Sequence, residues 1–207
     1  REVLPGAQTS AAETDPGRPE RPGVGEKFTR RTMPVSIPLF TLGLKGTPAA
    51  RGEGLRQRLL AELTCDVLFS PSAPLYNRLY EQGLLNSSFG SFYSDGPGCA
   101  FIVAEGASRD PERVRREVLA EAARLAAEGI DQELWDRLKK AAYGTMVRRL
   151  NSMEDTCIEL AEAHFKGEDY LSFPQVFQSI ERADGEALLR TWCTEERMSL
   201  SVIAPEE

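Results

Sequence analysis

The chain has 207 residues, with 25 Lys plus Arg against 32 Asp plus Glu and a net charge of −7; this acidic balance excludes the clustered cationic surface that a nucleic-acid partner needs. With 41% hydrophobic and 28% charged residues it has the composition of a globular domain able to bury a sizeable core, and no apolar run approaches the ~20 residues that a membrane-spanning helix requires. One histidine, His164, and four cysteines, none spaced C-x-x-C, exclude a histidine-based zinc site and give no sign of a zinc ribbon or redox pair.

Residues 1–25 are rich in Pro, Gly, Thr and charge and almost free of bulky apolar side chains, which predicts a linker or tail ahead of one domain over 26–207. The chain starts at Arg1 without a signal peptide, as expected of a piece of a longer polypeptide. Phe28 to Lys45 is extended in pattern, but Pro34 and Pro38 each remove a backbone donor. It is therefore either an edge strand or a strand broken at a proline. Residues 52–69 place Leu55, Leu59, Leu63 and Val67 on one helical face, widened by Leu60 and Leu68. A second helix over 73–82 carries Leu75, Tyr76 and Leu79, and Gly83 stops it.

Two strands follow, Ser87–Ser94 and Cys99–Glu105, joined through Asp95-Gly96-Pro97-Gly98 as an antiparallel hairpin. Asp110 is a helix N-cap with Pro111 at the first helical position. That helix buries Val114, Val118, Ala122 and Leu125 and ends at Gly129. The basic residues Arg113, Arg115 and Arg116 alternate with Glu112 and Glu117 and read as its solvated face. Asp131 caps a helix running to about Leu150, with Leu134, Leu138, Ala141, Thr145 and Met146 facing inward. Asn151 or Ser152 caps another to Lys166. Short helices near Phe173–Arg182 and Gly185–Trp192 lead to a last strand, Met198–Ile203. The order predicts an α+β fold, a mostly antiparallel sheet covered on one face by helices.

The chemistry-bearing motifs are missing. The metal-binding helix motif H-x-x-E-H needs two histidines, so no metal ligand set and no catalytic residue is assigned to this chain. Cys157 and His164 share a helix face, but seven residues of helix separate them by about 10 Å, too far for an activated thiolate. Cys157, Leu160, Ala161 and His164 are expected to form a packed helix face instead. There is no G-x-S-x-G elbow, no Walker loop and no G-x-G-x-x-G. Unpaired cysteines read as free thiols in a reducing cytosol, so the expected location is cytoplasmic.

The segment Ser72-Ala73-Pro74-Leu75-Tyr76-Asn77-Arg78-Leu79-Tyr80-Glu81-Gln82-Gly83-Leu84-Leu85-Asn86-Ser87-Ser88-Phe89 resembles the helix-then-strand signature of the insulinase/pitrilysin family of zinc metallopeptidases. The element order around it, and the closing strand followed by Pro205, resemble one half-domain of that family. The resemblance covers about residues 27–205. It implies the non-catalytic, C-terminal half of a bacterial member, which closes like a clamshell over a peptide substrate. The cofactor, zinc, is then expected in a separate partner half that carries H-x-x-E-H, on the same chain or another subunit, and residues 1–25 become the hinge. From the acidic balance and the lack of a long apolar run, no nucleic-acid and no membrane partner is expected. In many relatives the second half offers an Arg at the helix end and a Tyr after Gly-Leu. Here Tyr80 and Asn86 stand at those places, which weakens any direct assistance to the chemistry and leaves them as hydrogen-bond donors to a substrate carbonyl. With Phe89 and Tyr93 they are the candidate substrate-binding residues, and the strand Phe89–Ser94 is a candidate edge for a peptide to join. The alternative implied by the same family is a pseudopeptidase module that binds a partner protein and cleaves nothing.

Overall fold

Pro34 and Pro38 split the first extended stretch into two strands in a computed structural model that describes residues 21–206. β1 (Phe28–Thr32) is an edge strand and β2 (Leu39–Lys45) lies inside the sheet. Both alternatives for a proline-bearing strand are thus realised, one in each piece. The Pro38 carbonyl accepts the N–H of Ser108 at 3.0 Å, so even the interruption is tied to the sheet. Most of the proposed linker lies outside the described residues. At its end, the Val24 N–H donates to the Glu196 carbonyl at 2.9 Å.

The remaining elements are α1 (Gly54–Phe69), α2 (Pro74–Glu81), β3 (Gly90–Gly96), β4 (Cys99–Ala107), α3 (Pro111–Glu128), α4 (Gln132–Arg149), α5 (Met153–Lys166), a 3-10 turn at Tyr170–Ser172, α6 (Phe173–Gln178), α7 (Arg182–Trp192) and β5 (Met198–Ala204). The five strands form one sheet in the order β1-β5-β2-β4-β3, antiparallel except for the parallel pair β1–β5. One sheet face carries Phe40, Leu42, Leu44, Ala100, Ile102, Ala104, Met198, Leu200 and Val202, all buried under the helices. The alternate positions, such as Thr41, Ser201 and Glu105, are exposed. This is the half-covered antiparallel α+β architecture that the alternating strands require.

α1 runs across the covered face and is the centre of the core, in contact with β3 and β4 and with α2, α3, α4, α6 and α7. The expected stripe on α3, Val114, Val118, Ala122 and Leu125, is buried. The Asp110 carboxylate accepts the Arg113 N–H at 2.9 Å, as a cap should. α6 ends at Gln178, four residues before the expected Arg182. The Asp184 carboxylate accepts the Glu181 N–H at 2.8 Å and so starts α7 there.

Two expectations about packing fail in one place. On α4 only Leu134, Trp135 and Leu138 are buried, while Ala141 and Thr145 face solvent. On α5 the supposed packed face of Cys157, Leu160, Ala161 and His164 is exposed, and Ala163 is the one buried residue. Apolar spacing was right for a helix, but α5 leans chiefly on the 3-10 turn that follows it rather than on the core.

Candidate functional site

The segment carrying the family signature packs α2 on α1 and α3 and then leads into β3, the strand at one edge of the sheet. Leu75 and Leu79 anchor α2 in the core, and Gly83, with φ of 66°, ends it in a conformation that costs glycine little. The chain then turns through Leu84 and Leu85, both buried, to reach β3. The strand begins at Gly90 rather than Ser87, because Asn86 starts a turn. Its side-chain oxygen accepts the Ser88 N–H at 2.9 Å and the Ser88 hydroxyl at 2.6 Å. An Asx turn of this kind competes with strand pairing over the residues it closes.

The four candidate residues divide into two pairs. Tyr80 is half-exposed and stacks on Tyr76, ring centroids 5.9 Å apart. Its hydroxyl makes no hydrogen bond among the described residues. Tyr76 in turn packs on Phe89, which also meets Phe40 and Phe69 at 6.3 and 5.9 Å. Phe89 is therefore the inner rung of an aromatic series that climbs from the core to Tyr80 at the surface. Gly106 makes room for it: a Cβ there would lie 3.0 Å from the Phe89 Cα. Asn86 keeps its amide nitrogen for solvent or a ligand, since only its oxygen is engaged.

Tyr93 belongs to the helical side. Its ring stacks on Trp192 of α7 at 6.3 Å. Its hydroxyl accepts from the Gln57 amide of α1 at 3.2 Å and lies 3.4 Å from the Asp95 carboxylate. Burial, with the negative charge of Asp95 beside it, pushes the phenol up to about 12. The side chain is thus a brace between layers, and β3 offers its backbone instead. Gly96 and Cys99 flank the two-residue turn Pro97-Gly98, and in a hairpin that flanking pair is hydrogen-bonded. Bonded and non-bonded pairs alternate from there. Asp95, Tyr93 and Ser91 consequently turn their N–H and C=O groups away from β4, toward an edge that no described strand occupies. Phe92, half-exposed, stands on the open face of the sheet beside it.

Sequence reasoning missed the partners that fix this edge. Lys166, in the last turn of α5, bonds the Asp95 carboxylate at 2.7 Å, and Arg58 of α1 bonds Glu159 of α5 at 2.9 Å. Neither pairing had a signal, because each spans 71 residues or more of sequence. A cleft of about 340 Å³ opens next to the β3–β4 turn, walled by residues 48–52, by Gly54 and by Phe165, Lys166 and Glu168. None of the four candidate residues lines it. The candidate site is a strip with an aromatic flank, a shape that suits an extended chain rather than a compact small molecule.

Among the described residues no three His, Cys, Asp or Glu side chains gather as ligands. His164 lies exposed on α5, edge-on to Phe165. Cys65 and Cys193 are buried thiols, each pushed up to about 12 by that burial, and so protonated at neutral pH. All four cysteines are unbonded, and among the described residues no helix is long and apolar enough to cross a membrane.

Comparison with known proteins gives the family and the fold. Residues 4–142 match the family described as the peptidase M16 inactive domain. The chain is similar to a Bacillus subtilis (strain 168) protein described as an uncharacterized zinc protease, YmfH, at 24% identity over 189 residues, which are 90% of this chain and 44% of that one. Among solved structures it superposes on an M16-like peptidase of Alicyclobacillus acidocaldarius with a TM-score of 0.85 and 19% identity, covering 96% of this chain and 49% of the other. A peptidase M16 inactive domain from Pseudomonas fluorescens gives a TM-score of 0.70 at 16% identity, covering 100% and 48%. At such identities the superpositions speak for the fold. The chain spans about half the length of the curated relative it matches.

Proposed function

The chain belongs to the peptidase M16 inactive-domain family, and from that premise we propose that it is the substrate-holding half of a zinc-dependent peptidase, closing over a peptide with a separate half that carries H-x-x-E-H. The observation that carries the reading is the edge of β3 that no described strand occupies, entered from Asn86 and Phe89 and carrying the half-exposed Phe92, with Tyr80 reaching the surface through Tyr76 on Phe89. An extended peptide laid antiparallel or parallel to β3 would bond the outward N–H and C=O groups of Ser91, Tyr93 and Asp95. Main-chain bonds of this type hold a substrate without reading its sequence. The Tyr80 hydroxyl and the Asn86 amide supply donors to one or two carbonyls. Phe89 holds Tyr76, and through it Tyr80, in place. The bond-breaking chemistry and the zinc belong to the other half. The unbonded thiols support a reducing compartment, the cytoplasm.

Two tyrosine variants test the assignment. Tyr80→Phe should lower kcat/KM for peptide cleavage by the assembled protein about tenfold, the size of one lost hydrogen bond, with an unchanged melting temperature. Tyr93→Phe should do the reverse, because its hydroxyl braces α1 against β3. Equal losses of stability and activity for Tyr80→Phe would reduce that residue to packing. An assembled, zinc-loaded protein that cleaves no peptide of any length would end the peptidase reading.

A further inference from the structure

A second exposed surface lies on the helical side, on α5, whose last turn reaches β3 through the Lys166–Asp95 ion pair. α5 carries apolar side chains over a broad arc opposite a charged face of Asp155, Glu159, Glu162 and Lys166, and buries Ala163 alone. Phe165 is 87% exposed and Met153 76%, with Ile158 and Leu160 also in solvent. Val147 and Leu150, at the end of α4, continue the same exposure to the turn that joins the two helices. Together six side chains of this size present roughly 600 Å² of apolar surface, most of the ~800 Å² that one partner contributes to a standard interface. An exposed apolar patch of this size, rimmed by polar residues, marks an interaction surface. α5 is meanwhile kept in place by charges. Glu159 bonds Arg58 and Arg149, and Lys166 bonds Asp95. Those contacts fix its position and leave its apolar groups free.

We propose that α5, with the end of α4, is the docking helix for the companion half-domain, and that it enters a groove on that domain with Met153, Ile158, Leu160 and Phe165 as its anchors. The inference rests on the reading of this chain as one half of a two-half protein. The occupant follows from size. This chain covers 44% of its curated relative and 49% and 48% of two solved chains that share its fold. Each of those proteins therefore contains a further portion about as long as this chain, large enough to bury a whole helix. A peptide substrate is the poorer occupant, because α5 has no open backbone to pair with and its apolar side chains point in several directions rather than along one groove wall. A second copy of this chain has no such length argument behind it.

The test mixes the 207-residue chain, whose core runs through both of its layers, with the separately produced companion half of its parent protein. Sedimentation velocity reads association, and hydrogen exchange locates it. The expected result is a one-to-one complex in which the amides of Met153–Lys166 gain protection. Ile158→Glu combined with Phe165→Glu should weaken association at least about tenfold, because two charges would be buried without partners. The milder Ile158→Ser with Phe165→Ser should weaken it in the same direction. Both variants should keep the melting temperature of the lone chain within about 2 °C, since the residues are exposed. The inference is overturned if the variants bind as the parent does, if α5 exchanges freely in the complex, if the chain pairs with itself through α5 in preference, or if no complex forms. Cleavage of a fluorogenic peptide by the mixture separates the two ideas. Cleavage without dependence on α5 sinks this inference and spares the peptidase reading. Association through α5 with no cleavage sinks the peptidase reading and spares this one.

Discussion

Helices α1 and α5 are close in length, 16 and 14 residues, and both are apolar on more than one side. α1 buries ten of its residues, from Leu55 to Phe69, and α5 buries Ala163 alone. The sheet lies under α1 and other helices stand around it, so its apolar sides find neighbours. α5 meets the body through Ala163, through the 3-10 turn that follows it and through ion pairs to Arg58, Arg149 and Asp95. Apolar surface on a helix therefore specifies that something covers it and is silent about what. In α1 the cover is this chain's own sheet. For α5 it is the proposed companion.

The sharpest way to break the comparison is to cut the same kind of side chain from each helix. Leu63→Ala, at a position 1% exposed, should lose about 2–5 kcal/mol in a denaturant titration, the range for an emptied core site. Phe165→Ala should change stability by no more than about 0.5 kcal/mol. A loss near 2 kcal/mol at Phe165 would mean that α5 is packed in the lone chain after all.

A smaller effect follows from the clasp between the two helices. Glu159→Ala leaves Arg58 without its partner in a half-buried place and should cost about 1–2 kcal/mol, less than a fully buried pair. The loss should be local. Hydrogen exchange of α5 should accelerate while the sheet amides keep their protection, and equal acceleration in both regions would deny that α5 hangs from the body by its charges.

On the core side, α2 and α3 are joined by Glu121, which bonds Arg124 at 2.7 Å and Arg78 at 3.3 Å. Burial alone would raise its carboxyl, but the hydrogen bonds and charges of Arg124 and Arg78 outweigh it and hold the group below the ordinary 4.5. A depressed folded value stabilises the protein above the ordinary one, and that contribution disappears as the pH falls through the depressed value. Glu121→Gln should therefore be less stable than the parent by about 1 kcal/mol at pH 7, and melting curves of the two should converge in acid. A gap that persists at low pH would assign the effect to packing.

The smallest expected change has the opposite sign. Burial raises the Asp66 carboxyl above its usual 3.8, so its charged form costs stability at neutral pH and costs nothing once both states are protonated. Asp66→Asn should melt slightly higher than the parent at pH 7, and the difference should shrink as the pH falls toward 3.8. A constant difference across pH would rule out charge as the cause.

Much of the fold was legible in the chain. The stripe of Leu55, Leu59, Leu63 and Val67 lies where its spacing put it, as do Val114, Val118, Ala122 and Leu125, because each is a repeat confined to one helix. The hairpin was legible from Gly96-Pro97-Gly98, although the strands reach closer to Pro97 than four turn residues suggested, since Pro97 and Gly98 (φ 79°) suffice for the reversal. The start of β3 was not legible. Ser87–Phe89 looks extended, and only the Asn86 oxygen bonding Ser88 converts it to a turn. Within the candidate site, Tyr80 and Tyr93 are alike as letters. One is half-exposed beside Tyr76, and the other is locked between Gln57, Asp95 and Trp192. The difference comes from residues 36 and 99 positions away from Tyr93, beyond the reach of any local pattern.

By itself the sequence determined the order of helices and strands, the stripes that build the core and the shortage of metal ligands. Those follow from residue identity and from spacing within a single element. Only the tertiary structure decided which apolar helix is covered, which aromatic side chain reaches the surface and which strand edge stays open. Burial depends on what a distant part of the chain places against a residue, and α5 has so little placed against it that its apolar side chains remain in water.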